Sequence, residues 1–406
     1  MNKHTPEITP DERAALLDEA ATLAKSWAAL GRECDDANRF PTETVEGYKR
    51  SAVVSMSVPR RLGGLGADML TASLVGAELA KGDPAIALSY NMHQAMVGIF
   101  RNTPALDEQA RDRILGAVAQ DSAILCGPFS EARAGLSGLA DTVAVPDADT
   151  GGWRITGKKN WSTLVLGSDL IALNATITDP DGTLPEDFRE HARREAVFVI
   201  PTDSPNLTVD HTWDTMGMRA TGSHTIVLDG TPAAANTYGG NFRQGLVGEA
   251  EWAAMLFGGV YLGLAEKAYA EALDILRAKH LGATLGGKDT DVKQIGYVQH
   301  TIGKMRTDID VATRVLESTG QIAIDGRDED WPGTSRKARW DLVKVLVTET
   351  AMSVTDEACR LVGGSAFRRG HVLERLFRDA RAGYLHSFTT HQLYDFRGRH
   401  ELGLIG

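Results

Sequence analysis

The chain has 406 residues, 43% of them hydrophobic, enough to bury a large core in two or three domains. Lys and Arg total 43 against 54 Asp and Glu, a formal charge of -11, which argues against a partner gripped through nucleic-acid phosphates. Cys34, Cys126 and Cys359 show neither the pairing of a disulfide framework nor zinc-ligand spacing, and read as reduced thiols packed inside a cytoplasmic protein.

The first residues lack the apolar run of a secretory signal. Thr9 and Asp11 are helix-start candidates, and Leu16, Leu17, Ala20, Leu23, Ala24 and Trp27 follow at three-to-four spacing. Pro59, Gly63, Gly64 and Gly66 interrupt the pattern, Thr71 to Leu79 resumes it, and Asp83 with Pro84 opens another helix. Residues 1–121 are therefore expected to form an N-terminal helical domain. Over 122–238 short runs such as Trp153 to Thr156, Ala196 to Ile200 and Thr225 to Leu228 alternate with Gly, Pro, Asp and Asn clusters, which predicts a middle β domain.

Helical periodicity returns over 239–406. The longest apolar run, Ala253 to Ala265, is too short for a bilayer span of about 20 residues and contains Gly258 and Gly259, so it predicts a buried helix and no membrane partner. Ile295, Val298, Ile302, Met305, Ile309, Ala312 and Leu316 form a seam that faces another helix. A loop from Gly326 to Gly333 precedes a second long helix, from Ser335 to about Val362, that stops at Gly363. A charged helix then carries Arg378 to Arg381, with His386 eight residues after Arg378. The expected fold class is mainly α with a central β domain and a C-terminal helical bundle.

Several motifs, spread along the chain, carry a resemblance. Gly82 Asp83 Pro84 with Asn91 Met92 His93, the loop from Gly127 to Gly135 with Ser130 Glu131, Gly157 to Thr163, Met216 to Ser223, and Arg378 to Arg381 occur in this order. Together they resemble the acyl-CoA dehydrogenase superfamily of flavoenzymes over nearly the whole chain. The resemblance implies an N-terminal α domain, a middle β-barrel-like domain and a C-terminal four-helix bundle. It also implies a flavin, FAD or reduced FMN, and packing as a homotetramer or homodimer. An isoalloxazine ring wants one aromatic cover and a few hydrogen-bonding groups at its rim, and Trp161 and Thr163 supply both types. By resemblance these two lie over the ring and reach its N5 edge, Ser130 contacts its pyrimidine side, and Arg360 with Gly363 and Gly364 stands where the pyrophosphate is held.

The chain also departs from the dehydrogenase pattern. Desaturation of an acyl thioester needs a carboxylate base, yet the two positions where the family carries it are Ser387 and Ala253, with Glu249 and Glu251 nearby. His386 instead occupies a position where the superfamily's two-component monooxygenases carry histidine beside the flavin. His386, His93, Thr163, Ser162 and His391 are the candidate catalytic residues; imidazole combines hydrogen-bond donation with proton transfer near neutral pH. His386 and His391 are five apart, so at most one is expected to face inward. Leu136, Met216, Met218 and Phe388 are expected to give the site apolar walls. No metal site is expected. Nor is a nicotinamide site, since no Gly-x-Gly-x-x-Gly follows a strand, so the electrons are expected from a separate flavin reductase. The leading expectation is a monooxygenase using reduced flavin and O2 on a small organic substrate. The alternatives are an acyl-CoA or acyl-carrier-protein dehydrogenase with a displaced base such as Glu251, and a flavin-binding protein without catalysis.

Overall fold

In this computed structural model the described residues are 7–104, 106, 108–132, 139–245, 251–278, 280–281, 290–326, 336–386 and 389–404. The long helix α1 (Pro10–Ala37) starts at Thr9, whose side chain accepts from Glu12 N while the Glu12 carboxylate returns the bond, a reciprocal cap. A short α2 (Val45–Lys49) leads through tight turns to α3 (Met69–Gly82). Asp83 then caps α4 (Pro84–Asn102), accepting from the backbone of Ala85 and Ile86, with Pro84 pre-set for the first helical position. After α5 (Glu108–Asp121) the pattern switches to strands.

The sheet contains β1 (Leu125–Cys126), β2 (Val143–Asp147), β3 (Gly152–Ser162), β4 (Leu170–Ile177), β5 (Glu195–Pro201), β6 (Leu207–Asp210), β7 (His224–Ala233) and β8 (Tyr238–Asn241). Their spatial order is β6-β7-β3-β2-β4-β5-β8, with β1 alongside β4. One helix inside this region was not expected from the sequence: α6 (Phe188–Arg194), capped by Asp187 and laced by Glu190 to Arg193 and Arg194. The apolar core of the sheet gathers Ile155, Ile171, Leu173, Phe198, Ile200 and Ile226.

A single turn, α7 (Phe242–Gly245), precedes the C-terminal bundle of α8 (Glu251–Ala278), α9 (Gly296–Asp325) and α10 (Arg336–Val362). Two-residue strands β9 (His280–Leu281) and β10 (Thr290–Asp291) pair between α8 and α9. The seam on α9 buries Val298, Met305, Ile309, Ala312 and Leu316, as its spacing predicts. Then α11 (Val372–Ala380) and α12 (Thr390–Glu401) close the chain. Among the described residues no helix is long and apolar enough to cross a membrane.

Helix α8 crosses α3 with almost no gap. A Cβ built on Gly259 would lie 2.2 Å from the Ser73 carbonyl oxygen, and one on Gly263 would lie 2.1 Å from that of Ala77. Both obstacles are backbone, so the helices would have to separate. Gly259→Ala is therefore expected to destabilise the protein by about 1–3 kcal/mol. Urea unfolding checks this, and a variant as stable as the parent would show that the crossing is not tight.

Candidate active site

A cavity of about 410 Å³ opens between the sheet, α4, α8 and the segment around α11, a volume in the range of cofactor and small-ligand sites. Its wall contains Leu88, Met92 and Phe129 on one side, Trp161, Thr163 and Ser130 at the sheet, Trp213, Thr215 to Met218, Thr221 and Ser223 from the turn before β7, Phe257, and Arg378, Arg381, Leu385 and His386 from the C-terminal end.

Trp161 owes its position to a break in strand pairing. Lys159 pairs with Ile226 and Ser162 with His224, so two residues of β3 face one of β7, and Trp161 sits in this bulge with φ 57°. The bulge turns the indole outward, leaving it 61% exposed at the cavity mouth. A bulky side chain in left-handed backbone is strained, and such strain gathers at functional sites. Ser130 is fixed against the same strand, its carbonyl accepting from Asn160 N at 2.8 Å. The next residue, Glu131, pairs with buried Lys159, which donates to Asn174 Oδ1 at 2.8 Å; Asn174 in turn donates to Glu195, which accepts from Arg243. The Lys159 ammonium holds the Glu131 carboxyl below its usual range despite burial.

His386 lies against α8. Its ring stacks on Phe257, centroids 4.3 Å apart, and Nε2 is 2.8 Å from the Tyr261 hydroxyl, while its carbonyl accepts from Lys344 Nζ at 2.7 Å. Burial pushes the imidazole pKa down to about 3, with the Lys344 ammonium acting in the same direction. Tyr261 is fully buried, and burial raises its phenol well above the ordinary value, so its hydroxyl stays protonated. In the tautomer in which that hydroxyl donates to His386 Nε2, the ring proton lies on Nδ1. The sequence reading gave His386 a role in proton transfer near neutrality. With its pKa lowered by burial, the ring is uncharged at neutral pH and carries one N–H.

The other expected residues separate clearly. Thr163 lines the cavity with Trp161 and Ser130. Ser162, next to it, points into the sheet, fully buried, with its hydroxyl directed to the Lys159 carbonyl at 3.4 Å. His93 is also enclosed: Nε2 donates to the Val54 carbonyl at 2.8 Å and Nδ1 accepts from Leu125 N at 2.9 Å. Both ring nitrogens are committed to backbone, so His93 ties α4 to β1 and has nothing left for a ligand. His391 is exposed at the start of α12 and is not part of the wall. Arg360 pairs with Asp356 on the surface of α10, and Gly363 and Gly364 form the turn beyond; all three lie outside this cavity. Met216 and Met218 supply the apolar wall as expected, whereas Leu136, Phe388, Ser387 and Glu249 lie outside the described residues.

Sequence reasoning missed Phe257 and Tyr261, whose four-residue spacing on α8 puts them on one face, and Trp213, which donates to the Met218 carbonyl at 3.1 Å. It also missed the difference between the two wall guanidiniums. Arg378 is neutralised by Asp35 and Glu374, whereas Arg381 stacks on Phe377 and meets no carboxylate among the described residues. No carboxylate appears among the described wall residues, and no cluster of three or more His, Cys, Asp or Glu suited to a metal was found among the described residues.

An apolar slot with two indoles, rim hydroxyls and two guanidiniums suits a planar redox cofactor. Comparison with known proteins places it. The chain matches the acyl-CoA dehydrogenase N-terminal domain over residues 10–121, the middle domain over 128–231 and the C-terminal domain over 255–391. It belongs to the acyl-CoA dehydrogenase superfamily of flavin-dependent oxidoreductases. Among curated relatives, YdbM of Bacillus subtilis (strain 168), provisionally assigned as an acyl-CoA dehydrogenase, is 28% identical over 93% of both chains. L-evernosamine nitrososynthase of a Micromonospora species is 29% identical over 98% of this chain and 92% of its own. Dibenzothiophene monooxygenase of Mycolicibacterium goodii is 26% identical over 93% and 91%. The FMN-bound TdsC of Paenibacillus sp. A11-2 superposes with a TM-score of 0.83 at 21% identity, over 96% of this chain and 98% of that one, and so shares the fold.

The two buried imidazoles give the protein a pH signature. Burial lowers His93 to about 4 and His386 to about 3, below the ordinary value near 6.5 that each regains on unfolding. Between these limits the unfolded chain binds the extra protons, so stability is full above about pH 6.5 and is lost as pH falls toward 4. His93→Gln keeps one donor and one acceptor for Val54 and Leu125. It is expected to cost about 1–2 kcal/mol at pH 7 yet flatten the decline between pH 6.5 and 4. Urea midpoints across that range check it; an equally steep decline in the variant would remove His93 as a source.

Proposed function

We propose that the protein is a monooxygenase that uses reduced flavin and molecular oxygen on a small organic substrate. The observation that carries this reading is the chemistry of the cavity wall: a neutral imidazole, hydroxyls and an indole, with no carboxylate among its described residues. Abstracting a proton beside a thioester needs a positioned carboxylate. Glu251, the displaced candidate, is buried in the first turn of α8 and does not belong to the wall. The nitrososynthase, dibenzothiophene monooxygenase and FMN-bound relatives support the oxygenase reading, while YdbM favours the dehydrogenase alternative.

The residues present fit a flavin. Trp161 would cover the ring, Thr163 would meet its N5 edge and Ser130 its pyrimidine side, and Arg381, which meets no carboxylate among the described residues, would serve a phosphate or another anionic group. When bound, the flavin supplies the reducing electrons and the activation of oxygen. His386 would offer a ring N–H to an oxygen atom without taking up charge, Tyr261 would hold the ring in place through Nε2, and the apolar wall would exclude water. FAD and FMN both remain compatible. Arg360, Gly363 and Gly364 lie outside this cavity, and the reading includes a homodimer or homotetramer. The reading includes a separate flavin reductase as electron source, a cytoplasmic location, and three units at 1–121, 122–238 and 239–406.

Two measurements test it. Anaerobic acyl-CoA is expected to leave the oxidised flavin-loaded protein unbleached, and oxygen is expected to reoxidise the reduced flavin-loaded protein slowly. His386→Ala is expected to speed that reoxidation about tenfold or more, and His386→Gln, which keeps an N–H donor, less. Bleaching by acyl-CoA would replace the oxygenase with the dehydrogenase. Reoxidation as fast as that of free flavin, with no bleaching, would leave a flavin-binding protein without catalysis.

A further inference from the structure

Beside Thr163 the wall contains a row of three linked hydroxyls. Thr163 Oγ1 is 2.8 Å from Ser223 Oγ, Ser223 Oγ is 2.7 Å from Thr221 Oγ1, and Thr221 Oγ1 donates to the Met218 carbonyl at 2.8 Å. Thr221 and Ser223 are buried, and all three hydroxyls belong to the cavity wall. Each hydroxyl has a single proton. A carbonyl oxygen can only accept, so the bond to Met218 uses the Thr221 proton. Ser223 must then donate to Thr221, and Thr163 to Ser223. With its proton turned inward, Thr163 presents only lone pairs to the cavity.

The two redox states of a flavin differ at the atom that meets such a group. Oxidised N5 is an acceptor with no proton, whereas two-electron-reduced N5 carries an N–H. An acceptor-only hydroxyl therefore bonds the reduced ring and opposes the oxidised one. The row can be reversed, with Thr221 donating to Ser223, Ser223 to Thr163 and Thr163 to the ligand, but this gives up the bond to Met218. One net hydrogen bond corresponds to a factor of about three to ten in binding.

We infer that Ser223 and Thr221 are positioning residues that lock the Thr163 hydroxyl as an acceptor and so make the site select reduced over oxidised flavin. The inference rests on the proposed placement of Thr163 against N5. It also supplies a role for two buried hydroxyl residues of the wall. A protein that receives its flavin already reduced and releases it oxidised would gain turnover direction from this bias.

The test is a pair of anaerobic titrations of the full chain with oxidised and with dithionite-reduced flavin, using both FMN and FAD. In Thr221→Val the Ser223 proton loses its inner acceptor, and in Ser223→Ala the Thr163 proton does. Either change frees a proton to point at the ligand. The ratio of oxidised to reduced dissociation constants is expected to fall about three- to tenfold in both variants. A tenfold fall lowers the two-electron potential of the bound flavin by about 30 mV. Thr221→Ser, which keeps the hydroxyl, is expected to retain the parental ratio, separating proton direction from packing. A ratio unchanged in both variants, or both redox states weakened by one common factor, would overturn the inference while leaving flavin binding intact. Failure of the parent to bind either redox form would instead sink the flavin placement itself.

Discussion

One short helix, α11, ties the start of the chain to the turn before β7 through three of its charged side chains, Arg375, Arg378 and Asp379. Arg375 reaches Asp83, the residue that also caps α4. Arg378 holds Asp35 of α1 at 2.5 Å and the Met216 carbonyl at 2.8 Å. Asp379 accepts from Met218 N at 2.5 Å. Helices from the start of the chain and the turn before β7 thus converge on nine residues near its end. Buried ion pairs give little net stability, because desolvation offsets most of their attraction, but removing one partner is costly. That asymmetry suits an anchor whose purpose is placement. Burial pushes the Asp379 carboxyl up to about 7, against the pull of Arg375, so this one member of the cluster is near its titration point at neutrality.

The same side chain type meets opposite fates on the two sides of that anchor. His93 and His386 are both uncharged because burial disfavours the imidazolium. His93 spends both nitrogens on backbone groups of other segments and becomes a structural tie. His386 spends one on Tyr261, and its ring also lines the cavity. What distinguishes a packed histidine from a working one here is the count of partners, not burial or pKa, and a count of partners is invisible in a linear sequence.

The fold was legible because periodicity reports burial directly. The spacing of Val298, Met305, Ile309, Ala312 and Leu316 marks the buried seam of α9, and the end of α10 at Gly363 follows from a positive φ of 82° that glycine adopts freely. Short α6 escaped because its cap and ion pairs are polar and bury nothing. Trp161, Thr163 and Ser130, which the motifs single out, lie together on the cavity wall at the end of β3 and its bulge. Ser162 failed by the alternation of the same strand, which turns it into the sheet beside two residues that face out. His391 failed because five residues and a helix start separate it from His386. Tyr261 lies 125 positions from His386 in sequence, and no local pattern joins them.

Met218 is where these features meet. Its φ of 54° is a conformation that costs a residue with a side chain about 1–2 kcal/mol. Both of its backbone groups are engaged: the N–H donates to Asp379, and the carbonyl accepts from Trp213 Nε1, Thr221 N and the Thr221 hydroxyl. Gly217 before it presses directly on the backbone of Arg378, where a Cβ would come within 2.5 Å. The strain is therefore held from two sides, by the ionic anchor on α11 and by the hydroxyl row that ends at Thr163. Relaxing Met218 to an ordinary conformation would rotate its carbonyl away from Thr221 and leave the last proton of that row without its acceptor. The conformation of one peptide thus links the packing of three segments to the direction in which a cavity hydroxyl points.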